Sequence, residues 1–128
     1  MIDLVTGAVS RVSAPPIAPL DRPIDLEHLS RMTLGEKSLE REVLQLFDRQ
    51  ATMLLARMKN GTAPAIGALA HTLKGSACGI GAWTVAKASE AVEQAAVSEP
   101  RMVAAGVDKL SASVADVKTV IAELLRSH

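Results

Sequence analysis

The sequence predicts an all-α protein, and three observations carry that expectation. Of 128 residues, 48% are hydrophobic, yet only Phe47 and Trp83 are aromatic and no Tyr occurs. A core made from Ala, Leu, Val, Ile and Met packs readily between helices, whereas strands favour β-branched and aromatic side chains. From Asp25 onward the apolar residues recur at spacings of three and four, with no run of strict alternation and no internal repeat. Short connections between long amphipathic stretches then imply antiparallel neighbours. The expected architecture is an up-and-down antiparallel four-helix bundle with a short additional N-terminal helix across one end.

Residues 1–23 hold four of the six prolines, Pro15, Pro16, Pro19 and Pro23. Proline at this density resists both helix and central strand, so 1–23 is expected to be a flexible leader and 24–128 the bundle. Asp25 is placed to cap a short helix from Leu26 to about Arg31. Thr33 and Glu36 have the spacing of a capping box, opening a long helix with apolar Leu39, Val43, Leu46, Phe47, Leu54 and Met58 that ends at Asn60-Gly61. Thr62 caps the third helix, whose first turn tolerates Pro64, and Gly79 or Gly81 stops it. The fourth runs from about Ala82 to Val97. Ser98-Glu99-Pro100 starts the fifth, with a stripe of Val103, Val107, Leu110, Val114, Val117, Ile121 and Leu124.

Composition also excludes functions. Lys+Arg and Asp+Glu are both 14, so no global field attracts a nucleic-acid backbone, and the shortage of aromatics removes platforms for base stacking. Cys78 is the only cysteine, which rules out an intrachain disulfide and a thiolate-rich zinc site. No segment approaches the roughly 18 uninterrupted apolar residues of a membrane span, and Met1 to Val12 lacks the pattern of a signal peptide. A cytoplasmic protein is expected.

The third helix carries the most information. Ile66, Leu69, Ala70, Leu73, Ala77 and Ile80 form its buried stripe, and His71 lies about 150° from the centre of that stripe, facing solvent. Its neighbours three and four positions away are Gly67, Ala68, Lys74 and Gly75, with Cys78 one further turn along. All but Lys74 are small. Each helix-interior glycine costs about 1 kcal/mol relative to alanine, and on an exposed face close approach by another molecule gives a reason for that cost. An isolated surface histidine is ordinarily of no consequence; glycines on both flanks and a lysine one turn on make this one a candidate.

A hydrolytic triad needs a nucleophile and an orienting acid that this helix lacks. A metal site needs several ligands, and the only other histidines, His28 and His128, lie near the ends of the folded region and read as surface residues. Phosphate acceptance asks for less: a neutral imidazole nitrogen attacks a phosphoryl group in line, and Lys74 offsets the added negative charge.

The run His71-Thr72-Leu73-Lys74-Gly75-Ser76-Ala77, followed by Gly79-Ile80-Gly81-Ala82, resembles the signature of the histidine-containing phosphotransfer (HPt) domain of bacterial multistep phosphorelays. With the helix pattern, the resemblance extends over about Pro23 to His128. It implies that His71 is phosphorylated, that Lys74 stabilises the phosphate charge, and that Gly75 gives the clearance for a partner to dock, with Gly67, Ala68 and Cys78, the other small residues that helical spacing puts near His71, expected to form the rest of the docking face. The expected partners are receiver domains of response regulators and hybrid histidine kinases, with the chain itself a monomer. It implies a phosphoryl carrier without ATP-dependent kinase activity of its own, no cofactor or metal of its own, and Mg2+ at the partner receiver domain. Two alternatives remain at this level. A histidine-kinase dimerisation domain usually has an acid after its histidine and a proline a few residues on, where this chain has Thr72 and Gly75-Ser76; in a helical adaptor His71 would be incidental.

Overall fold

The computed structural model describes residues 22–127. Among them are five α-helices, α1 (Leu26–Met32), α2 (Lys37–Met58), α3 (Ala63–Ile80), α4 (Trp83–Ser98) and α5 (Val103–Ser127), with a 3₁₀ turn at Pro100–Met102 before the last. No strand occurs among the described residues. Helices α2 to α5 form a closed ring in which α2 packs on α3, α3 on α4, α4 on α5 and α5 on α2, while α1 rests on α3. This is the four-helix bundle with an added N-terminal helix that the sequence predicts. The leader expected at 1–23 lies outside the described residues apart from Arg22 and Pro23, as does His128.

The core is aliphatic, as the composition requires. In α2 the buried positions are Glu40, Leu44, Phe47, Ala51, Leu54 and Met58, alternating spacings of four and three. Leu46 is 47% exposed rather than buried, and Leu39 and Val43 are half-buried. Leu46 is one residue, and so about 100°, away from Phe47. The small Ala51 and the charged Glu40 concealed the true stripe. In α3 the buried apolar side chains are Ile66, Ala70, Leu73, Ala77 and Ile80, with Leu69 half-buried at the edge. In α5 Val103, Leu110, Val114, Val117 and Ile121 are buried, and Val107 and Leu124 pack at the margin.

The helix ends follow from local chemistry, with one correction. Asp25 caps α1 by accepting from the His28 amide at 3.1 Å, and Thr62 caps α3 by accepting from the Ala65 amide at 3.3 Å. Thr33 and Glu36 do not form a capping box: Thr33 is buried and its hydroxyl donates to the Leu29 carbonyl at 2.9 Å, closing α1, while Glu36 precedes α2 without a side-chain cap. Between them Leu34 and Gly35 both adopt left-handed backbone, φ 56° and 73°, and the Gly35 amide bonds the Ser30 carbonyl. Those two residues turn the chain, so the two ends of the supposed box serve different helices.

Gly79 lies within α3, and Gly81 stops it, at φ 77°. The position needs glycine for a second reason: a Cβ there would come within 2.9 Å of the Asp25 carbonyl oxygen. The Asp25 amide in turn donates to the Gly81 carbonyl at 2.9 Å. Trp83 Nε1 donates to the Asp25 carboxylate at 3.0 Å, and the His28 ring packs edge-on against Trp83 with its Nε2 2.9 Å from the Cys78 carbonyl oxygen. His28, read from sequence as a plain surface residue, is therefore half-buried and helps to pin α1 against the α3–α4 turn.

Candidate functional site

Helix α3 presents His71 near its middle, opposite the buried stripe, as helical arithmetic requires. Its side chain is 67% exposed. The ring does not stand isolated: Nδ1 lies 2.8 Å from Oε2 of Glu93, on α4. The second carboxylate oxygen, Oε1, is 3.2 Å from Nζ of Lys74. One carboxylate thus links the histidine to the lysine one turn beyond it.

Glu93 was not among the residues singled out from the sequence. The signal that finds it is the register of the α3–α4 hairpin. His71 is ten residues before Gly81 and Glu93 eleven after Ala82; Gly67 is fourteen before and Ala96 fourteen after. Folding the chain back at that turn brings each pair together. Sequence periodicity assigns faces within a helix, but only the turn geometry says which residue of the next helix arrives opposite.

The electrostatics follow. Desolvation between the helices works to raise the Glu93 carboxyl's pKa, but the hydrogen bond from His71 and the ion pair with Lys74 outweigh it and leave the carboxyl below its ordinary value. Glu93 is therefore an anion at neutral pH. A carboxylate can only accept, so Nδ1 of a neutral His71 holds the proton and donates it to Oε2. Nε2 then carries the lone pair, and it makes no hydrogen bond to any described residue.

The expected docking residues divide. Gly75 is exposed, and a Cβ there would meet nothing within 4 Å; Ala68 and Cys78 are exposed on the same side. Gly67 is different. It is buried, and a Cβ would come within 3.0 Å of Ala96 Cβ, so its missing side chain lets α3 and α4 approach. Beside His71 lies a shallow trench of about 850 Å³ lined in part by Pro64, Gly67, Ala68, Thr72, Ala96 and Val97. Val97 is 85% exposed at its rim. Ser76 faces α2 and donates to Gln50 Oε1 at 3.0 Å, an interhelical tie outside the histidine's reach.

No group of three His, Cys, Asp or Glu side chains converges in a metal-binding arrangement among the described residues, and none of the helices there is long and apolar enough to cross a membrane. In comparisons with known proteins, the family model described as the Hpt domain matches residues 42–126. No curated protein and no solved structure matches the chain.

Proposed function

This chain belongs to the Hpt domain family, whose role is histidine phosphotransfer in phosphorelays, and from that premise we propose that His71 is the residue that carries the phosphoryl group. The observation that carries the assignment is the Nδ1 hydrogen bond to Glu93, which leaves Nε2 as the free nucleophile on an open surface. In the proposed step the Nε2 lone pair attacks the phosphorus of a receiver domain's aspartyl phosphate. The N–P bond forms as the P–O bond breaks, and the aspartate departs as carboxylate with the bonding electron pair. Because Nδ1 keeps its proton, the phosphorylated ring becomes cationic, and the Glu93 carboxylate faces that new charge. A second receiver's aspartate reverses the step.

Lys74 supplies positive charge toward the transferred phosphoryl group. Gly75, with Ala68 and Cys78, keeps the face low so that a receiver domain of a response regulator or hybrid kinase reaches Nε2. Mg2+ belongs to the receiver's site in this reading. The protein acts as a cytoplasmic monomer and a phosphoprotein, without consuming ATP itself.

The test is transfer from a phosphorylated receiver domain to this chain. Wild type should acquire an acid-labile, base-stable phosphate, and His71→Gln should acquire none while its circular dichroism is unchanged. Label that persists in His71→Gln, or a wild type that accepts phosphate from none of the cell's receiver domains, would overturn the assignment.

A further inference from the structure

Lys74 meets two anions in the course of the proposed reaction. Before transfer its ammonium is committed to Glu93 Oε1 at 3.2 Å, an oxygen closed off from solvent. A phosphoryl group on Nε2 of His71 would then bring up to two negative charges to the face one turn below Lys74. The lysine side chain has room to respond, since it borders an open cleft of about 550 Å³ whose far side is formed by Glu90, Gln94 and Ser98. One ammonium cannot serve both anions at full strength.

We propose that Glu93 is a positioning residue that sets how firmly His71 holds its phosphoryl group, by binding Lys74 in an ion pair that phosphorylation must break. The proposal rests on His71 being the phosphorylated residue. When Lys74 turns to the phosphoryl group, Oε1 of Glu93 keeps its shielded position and loses the ammonium, so the carboxylate retains only the ring's charge at Oε2, which is less favourable than having both cations. The phosphorylated state is therefore less stable than Lys74 alone would make it. For an intermediate that must release what it receives, this bias favours delivery to the next aspartate.

A double-mutant cycle on the transfer equilibrium isolates the effect. Glu93→Gln keeps the side chain's length and an oxygen that accepts from Nδ1, but it removes the charge that holds Lys74. Wild type, Glu93→Gln, Lys74→Ala and the double variant are each mixed with a phosphorylated receiver domain until the phosphate distribution is constant, and the ratio of phosphohistidine to phosphoaspartate is read. The direct influence of the carboxylate on ring and phosphate is present with or without Lys74, so it cancels in the cycle.

Glu93→Gln should raise the ratio about two- to fivefold more when Lys74 is present than when it is alanine, the range set by a partly exposed ion pair. An equal or smaller rise with Lys74 present overturns the proposal. Glu93→Asp, which withdraws the carboxylate by one methylene, repeats the comparison if the amide variant melts below the assay temperature. A wild type that never takes up phosphate would instead overturn the assignment of His71, so the two failures are distinct.

Discussion

His71 and Gly75 occupy one exposed face a single turn apart, and a Cβ at Gly75 would meet nothing within 4 Å. A leucine at Gly75 should therefore fold without a clash and gain up to about 1 kcal/mol of helix stability from the loss of glycine. Phosphotransfer through His71 should nevertheless slow by about tenfold or more, because bulk above the imidazole holds a partner's aspartyl phosphate away from in-line approach. Thermal melts and transfer time courses on Gly75→Leu check the two halves separately. A higher melting temperature with unchanged transfer would show that clearance is not the glycine's purpose. At this scale the sequence was informative: the exposure of His71, the lysine beside it and the bare surface at Gly75 all follow from positions along one helix. Glu93 did not, because its partnership with His71 spans two helices.

The α3–α4 hairpin explains why two glycines of similar appearance have different uses. Gly67 and Gly75 lie on either side of His71, and helical spacing alone put both on the accessible face. Across the hairpin, however, Gly67 meets Ala96, and this contact fixes how near α4, and with it Glu93, comes to the histidine. Gly67→Leu should destabilise the protein by about 1–3 kcal/mol, since a Cβ 3.0 Å from Ala96 Cβ forces the helices apart. Chemical denaturation measures the loss, and the His71 ring resonances should shift as the Nδ1 hydrogen bond lengthens. The opposite signs expected for leucine at Gly67 and at Gly75 separate packing from access. Helix ends show a similar division. Asp25 and Thr62 cap as their sequences suggest, but the pairing of Thr33 with Glu36 fails because two left-handed residues, Leu34 and Gly35, intervene.

For the molecule as a whole, the attachment of α1 depends on one residue that joins three elements. Asp25 caps α1, accepts from Trp83 at the start of α4, and its backbone bonds Gly81 at the end of α3. The Trp83 hydrogen bond is the main reason its carboxyl lies below the usual value; burial opposes this, and the His28 amide and the charges of His28 and Arg31 add to it. Asp25→Ala should cost about 1–2 kcal/mol at pH 7 through loss of the cap and of the Trp83 partner. A depressed native pKa means the unfolded chain binds the proton more readily. The ionised carboxylate's contribution is therefore complete above the ordinary value of 3.8 and is lost as the pH falls through the lower native value. Denaturation of wild type and Asp25→Ala from pH 7 to pH 2 should show a constant gap that narrows only below about pH 4. Transfer through His71 should survive in Asp25→Ala, since the anchor lies at the α3–α4 turn and the histidine nearly three helical turns away.

The sequence by itself determined the all-α class, the succession of helices, the solvent-facing histidine with its lysine, and the motif that marks the family. These are properties of local spacing: a period near 3.6 decides which side chains share a face, and caps and glycines decide where a helix stops. The tertiary structure alone decided that Glu93 links His71 to Lys74, that Gly67 serves packing, and that His28 and Trp83 anchor α1. Each of these depends on the register between separate helices. That register is set by how closely their small residues let the backbones approach, a quantity that no single helix's periodicity contains.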